Sequence, residues 1–474
     1  MNTAQKIAKN TGVLFFAQIV SYPLGFLYIM YIARYLGSEE FGILSFSLAL
    51  AGIFGVLADL GFCPLGVREI ARDKRLAKKY IANIIPMKII LSILCFGLIA
   101  ISVNCFGYPE KTVLVVYFVS AGMLFNSFTE IFNSLFKAFE EMEYVSLGII
   151  LNKTLMLGLS LIAIFLEYEL VRISGIYCLT GLLVFLYTLL ICIWKYMAPA
   201  LEIDWDFWKK ISKKAAPFFL AAIVNVIAFR IDMVMLSMLK GDEAVGYYSA
   251  AYRLVEALII IPSILSTSLY PVFSNFYVSA KETLNLVYEK AFKLLLIIGL
   301  PIAVGTTLLA DKIILLIYGH EFSLAIPALK ILIWTIPVIF IAFMLGTLFA
   351  SINKQVLSLK ISIFTTTLNI GANLLLIPKY SFLGAALATV MTYTASFILS
   401  YYYISGLTHK IPVFNFALKP IAANLVMGGF ILNFTGSNIL LVIVASALIY
   451  LVMLNIFGVV SKKDYILFKR GKFL

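Results

Sequence analysis

Fourteen stretches of about twenty apolar residues, each long enough to span a bilayer core, follow one another with no gap longer than about twenty residues. They fall approximately at 12–33, 41–64, 81–104, 112–136, 145–166, 170–194, 216–239, 247–272, 292–310, 327–349, 357–377, 382–404, 416–434 and 438–460. So little chain lies outside them that no soluble domain fits, and any chemistry must take place in or at the membrane. With 62% hydrophobic and 13% charged residues in 474, the chain lies far outside soluble averages. The expected class is an all-α integral membrane protein of about fourteen transmembrane helices.

The chain is also duplicated. Between the first two stretches it reads Gly37-Ser38-Glu39-Glu40-Phe41-Gly42, and between the seventh and eighth Gly241-Asp242-Glu243-Ala244-Val245-Gly246. At the same offset Phe15, Ala17, Ile19 and Val20 fall on Phe219, Ala221, Ile223 and Val224. The second halves echo more loosely: Leu135-Phe136 then Tyr144-Val145-Ser146 against Leu348-Phe349 then Gln355-Val356-Leu357-Ser358, and Gly175 against Gly384. This divides the chain into a six-helix lobe at 1–200, a connector at 201–215, a second six-helix lobe at 216–408, and a trailing pair of helices with a basic tail at 409–474. Repeats that both enter from one side are related by an axis along the membrane normal, with the substrate path between them.

The net charge of +13 reflects topology rather than nucleic-acid binding. With the N-terminus inside, the cytoplasmic ends and loops collect twenty-six lysines and arginines and the outer side six, the bias of a chain with both termini cytoplasmic. The first apolar stretch is too long for a signal-peptide core and lacks a small-residue cleavage site, so it is expected to be retained. Cys63, Cys95, Cys105, Cys178 and Cys192 form no CxxC pair, and only His320 and His409 could join them. Neither a metal site nor a disulfide framework is expected.

The connector, Glu202 to Lys214, bunches Trp205, Phe207 and Trp208 ahead of four lysines. It reads as a short helix lying in the cytoplasmic interface. Pro23, Pro262, Pro301 and Pro337 each free a backbone carbonyl and permit a bend within a span.

Charges inside the membrane are costly, roughly 2.5 to 3.5 kcal/mol at the bilayer centre, and face a cavity or a partner. Asp59, Lys88, Glu130 and Lys330 lie within about two turns of a helix end and can snorkel to the headgroups. Lys153, Arg230, Asp232, Arg253 and Glu256 lie deeper. Arg253 and Glu256 are three apart and share a helix face, whereas Arg230 and Asp232 point different ways. These four form either a structural ion-pair network or the polar wall of a cavity. Asn369, Asn373 and Thr389 share their depth. With Asp232 they offer one carboxylate and several neutral oxygens, a set a dehydrated Na⁺ accepts, although asparagines four apart also make ordinary interhelical hydrogen bonds.

The run Ala33-Arg34-Tyr35-Leu36-Gly37-Ser38-Glu39-Glu40-Phe41-Gly42, with the basic loop after Gly66, resembles the first outer loop of the polysaccharide-biosynthesis (Wzx-like) flippases. These belong to the multidrug/oligosaccharidyl-lipid/polysaccharide (MOP) exporter superfamily. Asn369-Ile370-Gly371-Ala372-Asn373 through Ile377-Pro378-Lys379-Tyr380 to Thr389 resembles the same family's eleventh and twelfth helices. The resemblance covers essentially the whole chain. It implies two pseudo-symmetric six-helix bundles forming a V around a cavity that opens alternately to either side.

The implied cargo is a polyprenyl-(pyro)phosphate-linked oligosaccharide moved from the cytoplasmic to the outer leaflet of the cell membrane. Arg253, Lys153, Arg230 and Glu256 would line its headgroup site, because Arg binds phosphate bidentately and Lys as a point charge. By similarity to lipid II flippases, Asp232, Asn369, Asn373, Ala385 and Thr389 stand where a sodium site occurs. No other cofactor is implied. The first two helices carry no membrane-embedded arginine, which argues against lipid II itself as cargo. The protein is expected to act as a monomer, with glycan-assembly enzymes as candidate partners.

Two other readings remain open at this stage. A cation-coupled drug or metabolite antiporter of the same superfamily usually carries an acid in its first helix, where this chain has Gln18 and Tyr28. A membrane glycosyltransferase or polymerase needs a sizeable outer loop, and the outer loops here are all short, so no enzyme is expected.

Overall fold

A computed structural model describes residues 3–434 and 436–459; the basic tail beyond them lies outside the described residues. These residues form α1 (Thr3–Asp59), α2 (Phe62–Arg72), α3 (Leu76–Cys105), α4 (Glu110–Ala138), α5 (Met142–Phe165), α6 (Leu170–Lys195), α7 (Trp205–Lys240) and α8 (Asp242–Leu258). They continue with α9 (Ile260–Ser279), α10 (Lys281–Tyr318), α11 (Ala325–Leu332), α12 (Thr335–Ser351), α13 (Gln355–Leu407), α14 (Val413–Asn433) and α15 (Ile439–Ile456).

Among the described residues, 11 helices are long and apolar enough to cross a membrane, or 12 if α11 and α12, bent by 41°, are one span. Length and composition therefore give fewer than the fourteen crossings read from the sequence. The difference lies in α1 and α13, which run for 57 and 53 residues, more than twice the roughly 20 that a bilayer needs. Each contains one non-helical residue: Gly37 at φ 74°, ψ −179°, and Ser381 at φ 50°, ψ −133°. Fourteen crossings follow only if both halves of each helix cross separately.

Gly37 and its repeat counterpart Gly241 (φ 86°, ψ 177°) adopt the same backbone conformation, one essentially confined to glycine. The loop glycine thus recurs in the sequence because the same turn is built twice.

The chain separates into two compact units, Met1–Gly246 and Tyr247–Leu474. In the first, α4 and α6 cross where both are reduced to glycine: a Cβ on Gly122 would stand 2.3 Å from the Tyr177 carbonyl oxygen, and one on Gly181 2.6 Å from that of Gly122. Small residues at such crossings let helix backbones approach and gain dispersion contacts.

A core cluster of α2, α3, α4 and the start of α7 includes Phe62, Tyr80, Phe132, Phe136 and Trp208. The Tyr80 hydroxyl donates to the Phe62 carbonyl at 2.7 Å and so holds α3 against the buried start of α2.

The connector differs from its expected form. No break separates an interfacial helix from the seventh span: α7 starts at Trp205 and runs to Lys240 with Pro217 inside it. Asp204 caps it, its side chain accepting from Phe207 N at 3.0 Å, as an N-cap carboxylate should. Trp208 is buried rather than interfacial, its Nε1 donating to Asn83 Oδ1 at 3.2 Å, and the same oxygen accepts from Asp204 N at 2.9 Å. Lys79 Nζ stands 2.7 Å from Asp204 Oδ2, and its hydrogen bond holds the Asp204 carboxyl below the usual carboxylate range. A buried asparagine thus straps the connector to α3.

In the second unit, α10 holds α14 and α15. Pro301 cannot donate to the Ile297 carbonyl four residues back, and the Tyr450 hydroxyl donates to that oxygen instead at 2.9 Å. Lys312 and Lys293, nineteen residues apart on α10, donate to the carbonyls of Ser437 (2.7 Å) and Val459 (2.5 Å). Pro262 and Pro337 each follow a break within one span, the α8–α9 span and the α11–α12 span bent by 41°. Each falls in the first turn of its helix, α9 or α12, where the missing N–H has no intrahelical partner to lose.

Candidate functional site

In the first unit, two deep cations lie across glycines of α1. A Cβ on Gly25 would meet Lys153 Cδ and Cε at 3.7 and 3.8 Å, and one on Gly52 would meet Arg230 Cγ at 4.0 Å. Lys153 is twelve residues from the end of α5 at Phe165, about 18 Å along the axis. Gly25 is equally far from Gly37. That is too deep for the ammonium to snorkel, and the residue is exposed. Arg230 is half-buried and Asp232 is 3% exposed on α7.

One turn from Gly25, the Tyr28 hydroxyl donates to that of Tyr177 at 2.6 Å with the rings edge to face. One turn from Lys153, Met156 Sδ stands 3.1 Å from Thr180 Oγ1, whose hydroxyl donates to the Ile176 carbonyl at 2.7 Å. α1, α5 and α6 therefore meet in one polar layer.

In the second unit, Arg253 Nη1 and Glu256 Oε2 pair at 3.1 Å, both side chains less than a fifth exposed; this is the i,i+3 pair the spacing predicts. Tyr318, at the end of α10, was not singled out by sequence. Its buried hydroxyl lies within electrostatic reach of both charges.

Four of the oxygen-bearing residues also gather there. Asn373 Nδ2 donates to Asn369 Oδ1 at 3.0 Å, Asn369 Nδ2 to Thr392 Oγ1 at 3.2 Å, and Thr389 Oγ1 to the Ala385 carbonyl at 2.9 Å. The Tyr248 hydroxyl lies 3.0 Å from Thr389 Oγ1. Tyr248 and Thr392 were missed. Thr392 was within reach of a periodicity argument, being three residues from Thr389 on the face of α13 that carries it. Tyr248 comes from another helix, α8, and no local pattern marks it. The donor set, buried neutral oxygens from amides, a hydroxyl and a carbonyl, fits a hard monovalent cation. Among the described residues no three His, Cys, Asp or Glu side chains gather around a metal position.

One expectation about shallow charges changes. Lys88 does not snorkel: its side chain is 0% exposed and its Nζ lies 2.8 Å from Asp59 Oδ1, 2.7 Å from the Ser127 carbonyl and 3.3 Å from Cys63 Sγ. Leu60 and Gly61, both at positive φ, interrupt the helix just after Asp59. Glu130 stays half exposed and pairs with Lys137 at 3.1 Å, and Lys330 pairs with Asp311 at 2.9 Å.

Bilayer-length helices holding charged side chains within them define a multi-pass membrane protein. The family model described as "Polysaccharide biosynthesis protein" matches residues 7–277, over half the chain, and the chain belongs to that family. A second model, MatE, matches residues 217–375.

The chain is 22% identical over 429 residues to the probable low-salt glycan biosynthesis flippase Agl15 of Haloferax volcanii, covering 84% of each. It is 25% identical over 411 residues to the capsular polysaccharide biosynthesis protein CapF of Staphylococcus aureus, covering 84% of this chain and 98% of CapF. Its fold is similar to that of the lipid II flippase MurJ in an inward closed conformation, with a TM-score of 0.78, 18% identity and coverage of 96% and 99%. A multidrug resistance MATE family transporter of the MOP superfamily, facing inward, superposes with a TM-score of 0.65 at 20% identity over 81% and 94%.

Proposed function

We propose that this protein is a flippase that carries an oligosaccharide linked to a polyprenyl phosphate or pyrophosphate from the cytoplasmic to the outer leaflet by alternating access, for surface polysaccharide or glycan assembly. It performs no covalent chemistry. The observation that carries this reading is the pair of deep cationic stems, Lys153 on Gly25 and Arg230 on Gly52, in a chain whose family and relatives serve polysaccharide assembly. An ammonium and a guanidinium at that depth have a use if an anionic headgroup passes them.

Lys153, Arg230 and Arg253 receive the phosphates, and Glu256 keeps Arg253 extended until they arrive. Asn369, Asn373, Thr389 and the Ala385 carbonyl, with Asp232 as the carboxylate, bind a coupling sodium ion. A bound ion would supply positive charge and bias the conformational equilibrium through its differential affinity for the two states. The protein sits in the cytoplasmic membrane as a monomer, crossing fourteen times with both termini inside, as the lysine and arginine bias supports. The repeats define lobes at 1–200 and 216–408, the connector at 201–215, and a trailing segment at 409–474.

The test is reconstitution into liposomes carrying a labelled polyprenyl-pyrophosphate oligosaccharide. Protein-dependent exposure of the label across the bilayer supports the flippase. The match to the MatE model favours a cation-coupled antiporter as second reading; efflux of a cationic dye without lipid movement would select it.

A further inference from the structure

Gly25 does more than allow helix packing. It is the bed on which the Lys153 stem lies, and the layer around it is fixed from two sides. The Tyr28–Tyr177 hydrogen bond of 2.6 Å ties α1 to α6 one turn away on the same face of α1. Met156 Sδ packs 3.1 Å from Thr180 Oγ1, so α5 meets α6 one turn from Lys153. α6 is itself seated on α4 by backbone contact at Gly122 and Gly181, so it has no room to follow a displaced neighbour.

A side chain at position 25 has two ways to make space: move α1 or move the lysine. The ties oppose the first. The second is open, because a four-carbon stem has staggered alternatives that differ little in energy, and Lys153 is exposed. A methyl group at position 25 would meet the stem at 3.7 Å, ordinary contact, whereas a larger side chain would occupy the stem's own volume and swing the ammonium away from α1.

We propose that Gly25 is a positioning residue for the cargo's phosphate: it sets where the Lys153 ammonium stands, and the Tyr28–Tyr177 pair makes that setting rigid. This rests on the reading of Lys153 as a headgroup ligand. Gly25 touches no cargo. It acts through Lys153 alone, so its effect vanishes when Lys153 is absent.

The experiment measures binding of a short-chain fluorescent prenyl diphosphate to purified full-length protein in detergent, in a cycle of Gly25→Leu, Lys153→Ala and the double variant. Gly25→Ala is carried as a graded step, and thermal midpoints identify any variant that is misfolded. Gly25→Leu raises Kd about tenfold when Lys153 is present, Gly25→Ala raises it less, and Gly25→Leu has no further effect on Lys153→Ala. An equal rise in both backgrounds would make Gly25 a packing residue and overturn the proposal, as would no rise in either. If Lys153→Ala alone leaves Kd unchanged, the headgroup reading of Lys153 fails and the Gly25 proposal with it; that outcome is distinct from the first two.

Discussion

Gly42 and Gly246 each lie against the backbone of the other's loop. A Cβ on Gly42 would stand 1.8 Å from the Asp242 carbonyl oxygen, and one on Gly246 1.9 Å from the Ser38 carbonyl oxygen. Ser38 and Asp242, like Gly42 and Gly246, are equivalent positions of the duplication, so the two contacts are the same contact made twice. Each glycine is required by its counterpart's loop. Neither overlap can be relieved by a rotamer, because the obstructing atoms are main chain. Gly42→Ala and Gly246→Ala should each cost about 1–3 kcal/mol, read as a lowered thermal midpoint in detergent. Gly97→Ala, with nothing within 4 Å, should be neutral or mildly stabilising; equal midpoints for all three would refute the close approach.

Lys88 and Asp59 are unequally buried, at 0% and 27% side-chain exposure, and that asymmetry predicts an order of effects. Asp59→Asn strands a buried ammonium and should cost about 3–5 kcal/mol. Lys88→Met leaves a carboxylate that reaches solvent and should cost less. The double variant should be closer to wild type than Asp59→Asn. Additive losses in the three thermal midpoints would show that the two charges do not depend on each other.

The Asp204 carboxyl, held low by Lys79, gives the connector a pH signature. A depressed folded value means stability present above the unfolded carboxylate value near 3.9 and lost as pH falls through the folded one. Trp208, strapped to the same Asn83 oxygen as Asp204 N, reports it. The Trp208 emission of a variant retaining it as sole tryptophan should shift on acidification below about pH 4, and Asp204→Asn should flatten the change.

The oxygen cluster of α8 and α13 predicts sodium-dependent stabilisation. Na⁺ should raise the thermal midpoint relative to the same ionic strength of choline, by mass action on the folded state. Thr389→Val and Asp232→Asn should each abolish the increment. A midpoint indifferent to Na⁺ would remove the ion from the account.

How far sequence reached depended on whether a pattern was local. Apolar length gave the class, the glycine loops gave the duplication, and three-residue spacing gave the Arg253–Glu256 pair, because each is a property of neighbours along one segment. Lys88 escaped because distance to a helix end does not reveal what packs there: Asp59 of α1, Cys63 of α2 and the Ser127 carbonyl of α4 meet its ammonium. Trp208 escaped because an aromatic next to lysines reads alike as a membrane anchor and as a core residue; only Asn83, far upstream, decides between them. Tyr248 joins Thr389 across two helices, and one sequence holds no periodicity that links them.

The central claim is that the embedded cations serve an anionic lipid headgroup in transit. The most direct measurement is the initial rate at which a labelled polyprenyl-pyrophosphate oligosaccharide becomes accessible across liposomes holding wild-type protein, Lys153→Ala or Arg253→Ala, at equal amounts of folded, inserted protein. The account predicts protein-dependent movement by the wild type, reduced at least tenfold in each variant, as expected for loss of a charge-assisted contact. Wild-type rates from both variants would contradict it.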